Sequence, residues 1–277
     1  MYYWVSSTII CCITFNFLLA CSGNSHKDRM IRFFVKGNEA TQKERYEDAM
    51  RYYKQGIGFD SSFADIFNNR GVLFFQQGDN QNALNDYNKA LQLKPAFTDA
   101  LYNRGNVLYN LAKYEKSEID LLKVQGVYPD SAKVLFSLAK TQLKLKKYEE
   151  AISQLNKILK REPNNANAYD SRGFLYLMSG NLKEAEADLQ KALTLNPKQD
   201  LAYANLGLLK AAQKDTLQAL QLLRKAIALN PNEIYARLSR AKIFLAQKQK
   251  DSARIDLKKA LLLEENNEEA KTLLNLY

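Results

Sequence analysis

The stretch Leu182–Pro197, LKEAEADLQKALTLNP, decides the fold, because a close copy of it, NQNALNDYNKALQLKP, occupies Asn80–Pro95. The same spacing runs along most of the chain. All five prolines are separated by 34 residues, at Pro95, Pro129, Pro163, Pro197 and Pro231. Self-similarity at a fixed period of this length indicates an array of one small structural unit.

Seven units result when each proline is placed at position 32 of a 34-residue repeat. They span 30–63, 64–97, 98–131, 132–165, 166–199, 200–233 and 234–267. The first and last units lack the proline, as expected of terminal repeats. Position 8 is glycine or alanine and position 20 is alanine or serine in every unit. Small side chains at fixed places allow two backbones to approach closely.

Within each unit the apolar residues recur at helical spacing. In the fifth unit, Tyr169 and Leu175 belong to a first amphipathic segment, and Leu189 and Leu193 belong to a second. Gly180 supplies the turn between them. The proline at position 32 then moves the preceding residue out of helical geometry. Each unit is therefore predicted to be a hairpin of two helices.

Glycine at position 8, alanine at positions 20 and 27, and proline at position 32 resemble the tetratricopeptide repeat (TPR) across residues 30–267. The resemblance implies an all-α fold, a right-handed superhelical solenoid of seven TPR helical hairpins whose first helices line the concave face. Departures at position 27 (Gly56, Val124 and Ile158) and position 11 (Gln142 and Lys210) are local. Such arrays need a cover at their ends. Apolar residues at helical spacing in 268–277 predict a C-terminal capping helix.

Residues 1–20 carry no charge and are mostly apolar, which resembles a secretory signal peptide. The sequence from Leu18 to Cys21, LLAC, resembles the bacterial lipobox, so the resemblance implies cleavage before Cys21 and lipidation of that cysteine. Residues 21–29 are predicted to be a flexible tether. Ser22 follows the cysteine and no acidic run is present, so the resemblance implies an outer-membrane lipoprotein on the periplasmic face.

One feature of this segment leaves an alternative open. A signal peptide usually begins with basic residues, and Met1–Trp4 has none. The segment is then an uncleaved anchor, or translation starts at Met30, and the protein is a cytoplasmic or inner-membrane adaptor.

The repeats lack the residues that most enzymes depend on. The only histidine is His26, and the three cysteines lie at or before Cys21. Residues 30–267 therefore exclude histidine-dependent triads, thiol nucleophiles and His/Cys zinc sites. Acidic pairs such as Glu149 and Glu150 are attributed to helix ends. We predict a protein that is not an enzyme, with no catalytic residue, no metal, no cofactor and no small-molecule substrate.

Positions 2, 5, 9, 12 and 13 face the groove in this family, and their spacing places them on one helical face. Unit four has eight basic and three acidic residues, a net charge of +5 out of the chain's +10. We predict that it binds an acidic segment or C-terminal carboxylate of a protein partner. The alternative is a solvated basic face. The candidate residues are Lys133, Phe136, Lys140 and Lys144, beside Tyr102, Asn106 and Tyr109 of unit three.

The groove positions of the next two units are apolar. Phe174, Leu177, Met178 and Leu208 form a second candidate partner surface, since exposed apolar patches often mark partner sites. The alternative is burial against the neighbouring repeat. Nucleic acid is not expected as a partner of an envelope protein. The positive charge is better suited to anionic lipid head groups.

Overall fold

The computed structural model describes residues 25–276, and within that range every regular element is an α-helix. The fifteen helices are α1 (His26–Gln42), α2 (Tyr46–Phe59), α3 (Ala64–Gln76), α4 (Asn80–Leu93), α5 (Thr98–Asn110), α6 (Tyr114–Val127), α7 (Ala132–Lys144), α8 (Tyr148–Arg161), α9 (Ala166–Met178), α10 (Leu182–Leu195), α11 (Asp200–Ala212), α12 (Thr216–Leu229), α13 (Ile234–Ala246), α14 (Lys250–Leu263) and α15 (Glu268–Leu276). The predicted signal peptide, the lipobox and Cys21 lie outside the described residues.

The helices are arranged as seven consecutive hairpins. The odd-numbered first helix of each unit packs against the even-numbered second helix of the same unit, and each hairpin packs against the next. Most neighbouring first helices also contact each other directly. The predicted all-α solenoid of seven hairpins followed by a capping helix is confirmed. None of the described helices is both long and apolar enough to span a bilayer.

Every first helix ends at position 13 of its unit and continues into the same turn, whose central residue is at position 15. In all seven units this residue has a positive φ, between 56° and 84°. In unit two, the N–H of Asp79 donates to the carbonyl of Phe74 (2.9 Å), and the N–H of Gly78 donates to that of Phe75 (3.0 Å). This pair of bonds is the Schellman arrangement, which satisfies carbonyls left free at a helix end. The turn geometry is thus repeated every 34 residues.

Only Gly78 and Gly180 are glycines at position 15, so the other five units hold a side chain in the left-handed region. We expect Ala112→Gly to stabilise the protein by about 0.5–1 kcal/mol, because the left-handed conformation costs a residue with a Cβ about 1 kcal/mol or more. The gain is measurable as a higher urea midpoint. Ala187→Gly, a matched change at an exposed site inside α10, should lower the midpoint. A lower midpoint for Ala112→Gly would contradict the prediction.

The core follows the repeat positions. Position 20 is fully buried in every unit, at Ala49, Ala83, Ser117, Ala151, Ala185, Ala219 and Ala253. The residues that replace alanine at position 27 are also buried. One of them is Gly56, where a Cβ would lie 2.6 Å from Ile66 of the next unit. Gln142, at position 11 of unit four, is buried and donates to Glu118 (3.2 Å). These departures therefore change local packing and leave the hairpins intact.

Four units contain an ion pair between their two helices, formed each time by the residues at the same two repeat positions. Arginine at position 7 donates two hydrogen bonds to aspartate at position 23, with nitrogen–oxygen distances of 2.6–2.9 Å. The pairs are Arg70–Asp86, Arg104–Asp120, Arg172–Asp188 and Arg240–Asp256. Units four and six lack both partners, having Leu138 with Gln154 and Leu206 with Leu222. Loss of both members together avoids an uncompensated half-buried charge.

The first helix begins earlier than predicted, whereas the C-terminal helix lies where it was predicted. The tether was predicted to extend through residue 29, whereas α1 begins at His26. The reason is a cap: the Ser25 hydroxyl accepts a hydrogen bond from the N–H of Asp28 (3.1 Å). At the other end, α15 packs Ala270, Leu273 and Leu274 against the last hairpin. This helix covers the apolar end of the array.

Candidate functional site

A ladder of short polar side chains joins the first helices and fixes their spacing in the groove. Its members at position 6 donate to position 5 or 9 of the preceding unit. The bonds are Asn69 to Asn38 (2.8 Å), Asn103 to Asn68 (3.0 Å), Ser137 to Asn106 (3.1 Å) and Asn205 to Asp170 (2.8 Å). The ladder was not predicted from the sequence, although asparagine or serine at position 6 in units two to seven is a signal for it.

The groove residues of units three and four meet as pairs of a lysine and a tyrosine. The Lys140 ammonium lies 4.2 Å from the centre of the Tyr109 ring, and that of Lys133 lies 5.0 Å from the Tyr102 ring. Such cation–π contacts hold a cation without neutralising it. Partial burial and then Lys144 lower the pKa of Lys140. The structure thus brings the predicted basic and aromatic residues together.

These three lysines keep their charge available for a partner. Lys133, Lys140 and Lys144 are exposed, and within residues 25–276 none of them forms a salt bridge. Other basic residues of the same unit are engaged elsewhere, since Lys147 binds Glu118 (2.6 Å) and Arg161 binds Asp130 (2.5 Å). Within residues 25–276, three of the eight basic residues of unit four thus lie on its groove face without a salt-bridge partner.

A pocket of about 330 Å³ lies beside these lysines, between the first helices of units three to six. It gathers four of the predicted candidates, Asn106, Phe136, Lys140 and Phe174. The other main lining side chains are Ser137, Leu143, Asp170, Ser171 and Asn205. The pocket combines two aromatic rings, a lysine and a carboxyl group, a composition suited to a peptide side chain.

Asp170 is a lining residue that was not among the predicted site residues. It is buried, and its two carboxyl oxygens accept hydrogen bonds from Asn205 (2.8 Å) and Gln199 (3.2 Å). Burial raises the pKa of this carboxyl group to about 6; the two amide donors oppose the shift, and Asp200 adds to it. An aspartate at position 5, where no other unit has an acid, was the available signal.

The predicted apolar surface is divided by the structure. Phe174 lines the pocket and makes an edge-to-face contact with Tyr235, with ring centres 6.2 Å apart. Leu177 packs against apolar side chains of α10 and α11, so for this residue the alternative of burial against the neighbouring repeat is correct. Leu208 is half-buried. Met178 is exposed and lies in a separate surface depression with Lys146 and Tyr148.

The described residues contain no cluster of three or more His, Cys, Asp or Glu side chains placed to hold a metal ion.

Three family profiles for the tetratricopeptide repeat match the chain. The matched residues are 37–78, 73–111, 102–166, 136–200 and 210–277. Together the matches cover most of residues 37–277. No curated protein is similar to the chain in sequence.

Solved structures with the same fold include a tetratricopeptide repeat protein from Parabacteroides merdae. It is 24% identical, with a TM-score of 0.82, over 90% of this chain and 98% of that one. YrrB, described as a TPR protein with an unusual peptide-binding site, is 23% identical, with a TM-score of 0.53, over 66% and 95%. TTC0263 from Thermus thermophilus is 22% identical, with a TM-score of 0.60, over 65% and 97%. These similarities establish the fold.

Proposed function

Because the chain belongs to the tetratricopeptide-repeat family, we propose that it is a non-enzymatic scaffold that holds a segment of a protein partner in its groove. The observation that carries this proposal is the pocket of about 330 Å³ next to three lysines that have no salt-bridge partner within residues 25–276. A charged, partly aromatic pocket of this kind provides both orientation and affinity for a peptide. YrrB is described as having a peptide-binding site, which supports a peptide ligand for a solenoid of this type.

The partner segment is acidic or ends in a carboxylate. Lys133, Lys140 and Lys144 lie along one side of α7, and their exposed ammonium groups would pair with carboxylates of an extended segment. The tyrosine rings beneath Lys133 and Lys140 fix the positions of these ammonium groups. A neighbouring apolar side chain of the partner would enter the pocket between Phe136 and Phe174.

We further propose that Cys21 is lipidated and that the protein is held at the periplasmic face of the outer membrane, where it assembles or regulates an envelope complex. The support is the resemblance of residues 18–21 to a lipobox. The mass of the mature protein tests this, since cleavage before Cys21 and acylation should both be visible and should be lost in Cys21→Ser. An intact N-terminus would instead favour the cytoplasmic or inner-membrane adaptor.

The binding proposal is tested by capture of partners from solubilised membranes with the full chain. We expect the charge reversal Lys133→Glu/Lys140→Glu/Lys144→Glu to reduce capture of the specific partner by about 100-fold, because three attractive contacts become repulsive. Mass spectrometry of the captured proteins measures this loss.

The matched control reverses three exposed lysines outside the groove, with Lys183→Glu, Lys191→Glu and Lys258→Glu. It makes the same change in net charge and should retain the partner. A partner that binds the groove variant as well as the unmodified protein would refute the lysine site. A partner lost equally from both variants would indicate attraction to net charge alone.

A further inference from the structure

The outward face of α6 exposes three large apolar side chains, whereas α12 and α14 expose two each, Leu217 with Leu229 and Ile255 with Leu262. Ile119 is 54% exposed, Leu122 44% and Val127 58%, and Tyr128, which directly follows the helix, is 51% exposed. At positions 22 and 25 of the repeat, where unit three has Ile119 and Leu122, unit two has Asn85 and Asn88 and unit four has Ser153 and Asn156. The repeat itself therefore does not require apolar residues there.

Three lysines accompany these apolar side chains. Lys113, Lys116 and Lys123 are exposed and line a cleft of about 450 Å³ between α4, α5 and α6, together with Ile119 and Arg104. The remaining lining residues are Leu84, Asn88, Leu108 and Asp120. We call these lysines and the four exposed apolar residues the α6 face.

Outside the cleft α6 also carries the exposed Glu115, but the charge of the three lysines inside the cleft is not compensated. Asp120 is the acidic residue in the cleft, and both of its carboxyl oxygens are bound by Arg104 at 2.7 and 2.9 Å. The adjacent Glu118 is bound by Lys147 (2.6 Å) and Gln142 (3.2 Å). Within residues 25–276 none of the three lysines has a salt-bridge partner. The cleft therefore presents a net positive charge next to exposed apolar groups.

We propose that the α6 face docks the folded domain on a membrane surface that contains anionic phospholipids. Lysines bind lipid phosphates electrostatically, and apolar and tyrosine side chains at the same level enter the boundary between head groups and acyl chains. Charged and apolar residues alternate along a single helix face, which suits that boundary. A protein–protein core of similar size would instead be depleted of lysine.

Docking through α6 is compatible with partner binding. The groove pocket and the α6 cleft share no lining residue, and Tyr102, Asn106 and Tyr109 point to the groove while Arg104 and Leu108 of the same helix line the cleft. The docked domain therefore keeps its groove accessible. The two proposals can fail independently of each other.

The test measures hydrogen exchange of the full chain, reconstituted in vesicles, by mass spectrometry. In vesicles with about one-third phosphatidylglycerol we expect the amides of α6 to exchange about tenfold more slowly than in pure phosphatidylcholine, since each bound lysine contributes separately to the attraction. The amides of α10, whose outward face is polar and which does not line the cleft, should exchange equally in both. Residues 1–24 are present in both samples, so their insertion does not produce the difference.

Two variants remove the face and preserve the repeat. Ile119→Asn/Leu122→Asn introduces the residues that unit two carries at these positions, and Lys116→Gln/Lys123→Gln removes two charges. Both should abolish the protection by anionic vesicles. Lys183→Gln/Lys191→Gln, which removes two exposed lysines of α10, should leave it unchanged.

Three results would overturn the proposal. The first is equal exchange of α6 in the two vesicle types. The second is protection of α6 by inorganic phosphate without vesicles, which would indicate a site for free anions. The third is protection that rises with protein concentration without lipid, which would indicate a contact with a second copy of the chain.

Discussion

Gly71→Val is expected to lower the free energy of unfolding by about 3 kcal/mol, among the largest effects of a single substitution in this protein. A Cβ at Gly71 would lie 2.8–3.1 Å from three ring atoms of Tyr87. Tyr87 is fully buried, so its ring cannot move aside without displacing its neighbours. Urea denaturation followed by circular dichroism measures the loss.

A matched control separates steric overlap from the general effect of valine. Gly126 also lies in a helix, and a Cβ built on it meets nothing within 4 Å. Gly126→Val should therefore leave the urea midpoint unchanged or slightly higher, because glycine is the poorer helix former. Equal losses in the two variants would contradict the overlap between the two helices.

The same position shows how the units adapt to one another. Ala139 and Ala241 replace the glycine in units four and seven, where the facing residues are Leu155 and Leu257. The two units with tyrosine at that place, Tyr53 and Tyr87, have glycine opposite the ring. Alanine is thus found opposite leucine and not opposite tyrosine, although glycine also faces Leu121, Leu189 and Leu223 in the other three units.

Asp170→Asn is expected to stabilise the protein at pH 7 by about 2 kcal/mol. Burial raises the pKa of Asp170 from 3.8 to about 6 in the folded protein. A difference of roughly two pH units corresponds to about 3 kcal/mol against the ionised carboxylate above pH 6. The neutral amide avoids this cost. The gain is reduced because the new amide N–H₂ at position 170 would face a neighbouring amide donor. Rotation of the Gln199 amide relieves this contact, since its unpartnered Oε1 can then accept a hydrogen bond.

The pH dependence has a definite sign. Between about pH 4 and pH 6 the folded protein keeps a proton on Asp170 that the unfolded chain has released, so the stability of the unmodified protein falls as pH rises. The charged groups near Asp170 are Asp200, which opposes ionisation, and Lys140, which lines the same pocket. Urea midpoints measured from pH 4 to pH 7 should show this decline.

In Asp170→Asn the decline between pH 4 and pH 6 should be absent. Asp130→Asn is the control, because it removes one charge from an exposed ion pair and should cost little. A decline of the same size in Asp170→Asn would assign the pH dependence to another group and would contradict the raised pKa.

Much of the fold was predictable because each unit repeats the same local rules. Proline at position 32, small residues at positions 8 and 20, and helical apolar spacing act within one unit, so seven copies amplify a weak signal. The start of α1 was less accessible, because one hydrogen bond from Asp28 to Ser25 extends the helix into the predicted tether. Helix ends depend on such single contacts.

The groove was predictable in part. The resemblance to the tetratricopeptide repeat predicted that Tyr102, Asn106, Lys133, Lys140 and Phe136 face the groove, and the structure brings members of two units into contact. Leu177 differs because it packs on α10 and α11. Spacing within one helix gives a residue's direction and says nothing of how closely the next hairpin approaches.

By itself the sequence determined the all-α fold, the number of hairpins and the capping helix that follows them. These features arise within about 34 residues, where helix periodicity and chain connectivity leave little choice. Only the tertiary structure decided the pocket at Asp170, the polar ladder between units and the cleft beside α6. Each of these combines side chains from three or four helices, and burial, salt bridges and pKa values depend on the distances between them.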